Sequence, residues 1–133
     1  MSEAELSAVS EQIIRKAISL GASLAGIASL DLLKKSPSHD IYTKIEPNLG
    51  TGSRDFVEGV EPGVINWPHS AKSALVIALS HKEDAPEMDW WIEQGDDRES
   101  PGCRMLQDIL NNVAEWVQKE FSFTTHALPY HLE

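Results

Sequence analysis

Cysteine is nearly absent: Cys103 is the single thiol in 133 residues. No disulfide can form within the chain, which suits a reducing compartment, and a cytoplasmic location is expected. An iron–sulfur cluster held by this chain alone is excluded, because such clusters ordinarily take four thiolates. Apolar runs of about 18 residues are missing, and with them any sequence signal for a membrane-spanning helix. The first residues, Met1-Ser2-Glu3-Ala4-Glu5, are acidic and polar, without the basic-then-apolar order of a secretory signal. There is no G-x-S-x-G, no P-loop and no G-x-G-x-x-G, and Gly50-Thr51-Gly52 is too short to cradle a phosphate. The five histidines (His39, His69, His81, His126 and His131) lack H-E-x-x-H or similar spacing, so no metal site is expected.

Basic charge is also scarce, with 11 Lys and Arg against 21 Asp and Glu and a net charge of −10. Such a chain repels a phosphate backbone, which argues against nucleic acid as a partner of this domain. The acids are concentrated. Glu83, Asp84, Glu87, Asp89, Glu93, Asp96, Asp97 and Glu99 stand against Arg98 alone, so this segment supplies seven of the ten net negative charges. A solvated loop and a docking face for a basic partner both fit that pattern.

What is present is an ordinary globular composition, 41% hydrophobic and 24% charged, long enough for one domain with a core. Leu6, Val9, Ile13, Ile14, Ala17 and Ile18 recur at helical spacing, which predicts an amphipathic helix from Glu3 to Leu20 stopped by Gly21. Ser23 to Ala28 reads as a buried strand in which Gly26 admits close packing. Asp31 to Lys35 reads as a helical turn stopped by Pro37. Residues 36–70 are broken by prolines and glycines and form a long loop. Ala74 to Leu79 is the clearest strand, and its unbroken apolar run predicts burial on both faces at the centre of a helix-covered sheet. After the acidic segment, Pro101-Gly102 opens a second helix to about Phe121, with Met105, Leu106, Ile109, Leu110, Val113, Trp116 and Val117 as its apolar stripe. Thr124 to Leu128 is expected to be a third strand. The order is an α/β pattern: one domain over residues 1–133, with a small layered sheet covered by helices.

Two local features stand out as candidate sites. Trp90-Trp91 places adjacent indoles inside the acidic segment, either folded back over the sheet or forming a wall for a flat ligand or partner. His126, Tyr130 and His131 lie in the stretch Thr124–His131 that leaves the end of the expected last strand, where open α/β sheets place ligands. Cys103 stands near a helix start, which lowers a thiol's pKa, but a lone cysteine reads first as a structural thiol.

Four stretches carry a resemblance. They are Leu20-Gly21-Ala22-Ser23-Leu24-Ala25-Gly26-Ile27-Ala28, Lys72-Ser73-Ala74-Leu75-Val76-Ile77-Ala78-Leu79-Ser80-His81, Pro101-Gly102-Cys103-Arg104-Met105-Leu106, and Leu128-Pro129-Tyr130-His131-Leu132-Glu133. In this order they resemble the N-terminal domain of epoxyqueuosine reductase-like double 4Fe–4S-cluster proteins, relatives of the cobalamin-dependent reductive dehalogenases. The resemblance implies an N-terminal fragment of a larger cobalamin-binding, nitroreductase-like architecture. Its missing partner is a C-terminal ferredoxin-like domain of the same protein, which carries two 4Fe–4S clusters. Cobalamin is the implied reducing cofactor, with Trp90, Trp91, Arg104, Tyr130 and His131 as its candidate contacts. His126 stands three residues before Pro129, where the family carries a catalytic aspartate; an imidazole there is the candidate general acid. That change puts the family's tRNA-modifying reaction in doubt. A non-catalytic interaction module using Trp90 and Trp91 is the alternative. A flavin-binding, nitroreductase-like domain is a third reading, for which Arg54, Lys72 and Arg104 are the available phosphate contacts.

Overall fold

The computed structural model describes residues 1–42, 67–90, 92–94 and 97–127. These fall into two units, one of residues 1–27 and 75–127, the other of 28–42 and 67–74.

The first unit begins with helix α1, Glu3–Ser19. The Ser2 hydroxyl accepts from the Glu5 backbone N–H, and the Glu5 carboxylate accepts in return from the Ser2 N–H at 2.6 Å. This reciprocal cap satisfies two donors that the helix leaves unpaired, and it holds the Glu5 carboxyl below its ordinary value. At the other end the Ala22 N–H bonds the Ala17 carbonyl and the Gly21 N–H bonds the Ile18 carbonyl. That pair of bonds is a Schellman turn, and Gly21 takes the positive φ of 116° that it requires.

Helix α4, Pro101–Phe121, is the longest element among the described residues. Its N-cap is Ser100 and its first residue is proline, whose missing N–H costs nothing there. Ala17, Ala22, Ile109, Val113 and Val117 form the buried core, so the small residues at the end of α1 let its backbone come close to α4. Ile13, Leu20, Trp116, Phe121 and Phe123 extend that core outward. Trp116 and Phe121 meet edge to face at 5.4 Å, and Lys16 Nζ lies 5.5 Å from the Trp116 ring.

Strands β1, Leu24–Ser29, and β2, Ser73–Ala78, are hydrogen-bonded neighbours. The Ser23 N–H donates to the Ala78 carbonyl, and the Leu30 N–H to the Lys72 carbonyl, so the two strands run antiparallel. The helix-covered small sheet is therefore mixed α/β in outline but differs in detail from expectation. Ala25, Leu75 and Ile77 pack on the helical core, whereas Leu24 and Val76 are 70% and 56% exposed. Among the described residues β2 has one strand neighbour and one covered face. An unbroken apolar run cannot by itself say which of its alternating side chains meets a second layer. Gly26, read as a site of close packing, has open space where a Cβ would stand.

The expected third strand is not one: residues 122–127 carry no strand pairing. Ser122 turns the chain at φ 56°, and Gln118 Nε2 then donates to the Thr125 carbonyl and hydroxyl. The Thr125 hydroxyl donates to the Ala114 carbonyl at 3.2 Å. A threonine that satisfies its polar groups against a helix leaves its segment lying along that helix rather than in a sheet. Leu128 lies outside the described residues. The acidic segment, read as a loop, contains a 3-10 turn at Pro86–Asp89 and two short antiparallel strands, β3 (Ile92–Gln94) and β4 (Asp97–Glu99), with Glu93 opposite Arg98.

In the second unit, α2 spans Leu30–Lys34 and α3 spans Pro37–Tyr42. Pro37 was expected only to stop a helical turn. It also starts the next helix, because Ser36 accepts from the His39 N–H and a proline in the first turn needs no acceptor.

Candidate functional site

In the first unit the structure gathers polar and aromatic groups where β2 ends, at the 3-10 turn and at the start of α4. His81 lies three residues beyond β2. Its Nε2 is 2.7 Å from Asp89 Oδ2, and its Nδ1 is 3.2 Å from the Lys82 carbonyl. The Lys82 carbonyl, the Asp89 hydrogen bond and the Asp89 charge together hold His81 above its ordinary value of 6.5. Trp90 closes the turn, its N–H bonded to the Glu87 carbonyl, with its side chain 63% exposed. Glu83, Asp84, Glu87 and Asp89 around it are exposed as well.

The turn rests on α4 at a glycine. A Cβ on Gly102 would stand 3.0 Å from the Met88 carbonyl oxygen, closer than van der Waals packing welcomes, so the backbone approach there depends on glycine. Ser100 fixes the same corner: it is 6% exposed, and its hydroxyl accepts from the Cys103 N–H at 3.2 Å. Ser100→Ala is expected to cost about 1–2 kcal/mol, since a buried helix end loses an acceptor. Urea unfolding would measure it, and Ser100→Asp should recover most of the loss; equal loss in both variants would assign the effect to packing instead.

The described candidate residues are not gathered at one place. Arg104 is exposed on its first turn. His126 is exposed beside Thr125, which sits at the level of Ala114. At about 1.5 Å of rise per residue, roughly 15 Å of helix axis separates Arg104 from that level. Trp91, Tyr130, His131 and Arg54 lie outside the described residues. Lys72 is exposed in the second unit, and Cys103 is half-buried. Among the described residues no three His, Cys, Asp or Glu side chains come together as a metal-binding group. No described helix is long and apolar enough to cross a membrane.

Two histidine contacts escaped the sequence. One is the His81–Asp89 pair. The other, in the second unit, is His39, stacked on Trp67 with ring centroids 6.3 Å apart and the planes 12° from parallel. Their partners are 8 and 28 residues away in the chain, and no fixed motif spacing marks either. Comparison with protein-family models, curated proteins and solved structures returns no match.

Proposed function

We propose that this chain is the N-terminal domain of an epoxyqueuosine reductase-like iron–sulfur oxidoreductase, located in the cytoplasm, whose cluster-bearing domain is encoded beyond Glu133. The observation that supports this reading is order. The resembling stretches fall at successive structural junctions: Gly21 in the turn into β1, Ser73–Ala78 in β2, and Pro101-Gly102 at the start of α4. The nitroreductase-like, cobalamin-binding architecture belongs to the same proposal.

The donor set of this chain does not fit an iron–sulfur cluster, because Cys103 is its one thiol. Electron delivery therefore falls to the downstream domain, and no step of it is assigned to these residues. For the corrinoid, the exposed Trp90 indole offers a flat apolar surface and Arg104 an exposed cation. The corrinoid would supply the reducing metal centre. The part left to this chain is positioning and proton supply, the latter from the exposed imidazole of His126.

The test is the coding sequence downstream of Glu133 and the colour of the protein it encodes. About eight further cysteines in ferredoxin spacing are expected, two clusters at four thiolates each. The longer protein, made without oxygen, should be brown and should bleach on reduction. A reading frame that ends near Glu133, or a colourless full-length protein, overturns the proposal. A second reading, an interaction module, is favoured by the exposed Trp90 among exposed carboxylates. It requires Trp90→Ala to abolish partner capture while redox turnover of the longer protein persists.

A further inference from the structure

The two ring nitrogens of His81 face two different oxygens. Nδ1 is 3.2 Å from the Lys82 carbonyl oxygen, and Nε2 is 2.7 Å from a carboxylate oxygen of Asp89. A carbonyl and an ionised carboxylate can only accept. A neutral imidazole has one N–H and one lone pair, so it can serve one of these oxygens and must present a lone pair to the other. Only the imidazolium, with two N–H groups, satisfies both. The contact geometry is therefore that of a protonated side chain.

The same contact bridges two parts of the first unit. His81 follows β2, and Asp89 ends the 3-10 turn that carries Trp90. Within the intervening loop the Ala85 N–H bonds the Lys82 carbonyl and the Met88 N–H bonds the Ala85 carbonyl. The Lys82 carbonyl thus receives both the His81 ring and the first turn of the loop. On its other side the turn rests on Gly102 through the Met88 backbone. The segment bearing the exposed indole has two anchors, one of packing and one of charge.

We propose that His81 is a proton-dependent clamp that fixes the Trp90 segment against the end of β2 when its imidazole is protonated and loosens it when the proton is lost. The charged groups acting on the ring are Asp89 and Glu87, both on the turn and both anionic, so they reinforce the cation. The sign follows from linkage. The folded-state affinity for the proton is raised, so the clamp is complete below the ordinary histidine value and is lost as pH rises through the raised folded value. The window therefore opens above the ordinary histidine value of 6.5. Asp89 is 71% exposed, so added salt weakens the clamp.

Two-dimensional NMR of the full chain between about pH 5 and pH 9 tests this. The His81 ring resonances and the Trp90 indole N–H resonance are followed together, with assignments made by through-bond experiments on the isotope-labelled wild-type chain. The expected result is one shared midpoint for both signals, above 6.5. Asp89→Asn should lower the His81 midpoint and shrink the Trp90 response, and His81→Gln should leave the Trp90 resonance indifferent to pH. High salt should move the wild-type midpoint in the same direction as Asp89→Asn. A His81 midpoint at or below 6.5, or a Trp90 resonance that ignores the titration of His81 in the wild-type chain, overturns the proposal. That second criterion needs no variant to fold.

Discussion

Ile109→Ala is expected to lower the stability of the first unit by roughly 2–5 kcal/mol, the usual range for emptying a buried site of a large aliphatic side chain. Ile109 is 6% exposed and lies in the core with Ala17, Ala22, Val113 and Val117. Two of those neighbours are alanines, with no side-chain length to swing into the gap. A third neighbour is backbone: the Cβ position of Gly21 is 3.7 Å from Ile109 Cδ1. The cavity would therefore persist, and its cost adds to the lost burial. Domains of ordinary stability hold only about 5–15 kcal/mol in total, so this one change removes a large share. Denaturant unfolding monitored by circular dichroism measures it. A loss below about 1 kcal/mol would mean that α1 and α4 do not meet at this residue as described.

The second large effect is expected at Gly21, where alanine should cost about 1–2 kcal/mol. Its φ of 116° is a conformation that side-chain-bearing residues rarely adopt, so the penalty is in the backbone, not in crowding. The Schellman bonds from Gly21 and Ala22 to the last turn of α1 depend on that conformation. Gly26→Ala is the matched control. Gly26 has no positive φ and nothing within 4 Å of its Cβ position, so alanine should be neutral or stabilise by about 0.5–1 kcal/mol. Thermal unfolding of both variants separates them by sign. If Gly26→Ala destabilised the chain as much as Gly21→Ala, the two glycines would not differ as their backbones indicate. Ile109 and Gly21 are neighbours, so the combined variant should depart from the sum of the single effects.

Two long helices, the short helical turn at Leu30–Lys34 and two strands are legible in the sequence. The stripe from Leu6 to Ile18 and the one from Met105 to Val117 have helical period, and the helices carry their own punctuation in Gly21 and in Pro101-Gly102. The apolar runs around Ile27 and Val76 read as strands because they are short and bounded. The site was far less legible. Trp90 stood out as an aromatic among acids, and the structure places it exposed at the end of the turn. The histidine beside that turn did not stand out. A lone His81 followed by a distant Asp89 matches no motif, and only the path of residues 82–88 brings their side chains to 2.7 Å.

The sequence by itself determined local matters: where α1 stops and α4 starts, the single thiol, and the strongly acidic charge. These follow from residue type and near-neighbour spacing. The tertiary structure alone decided that β1 and β2 run antiparallel, that one face of β2 is covered and Val76 is not, and that residues 122–127 lie along α4 instead of extending a sheet. The physical reason is common to all three. Each depends on which partner satisfies a hydrogen bond or covers an apolar side chain, and those side-chain partners are 7 residues away at the nearest. An apolar run states a need for burial and a threonine states a need for an acceptor. Which surface meets that need is settled only when distant parts of the chain come together.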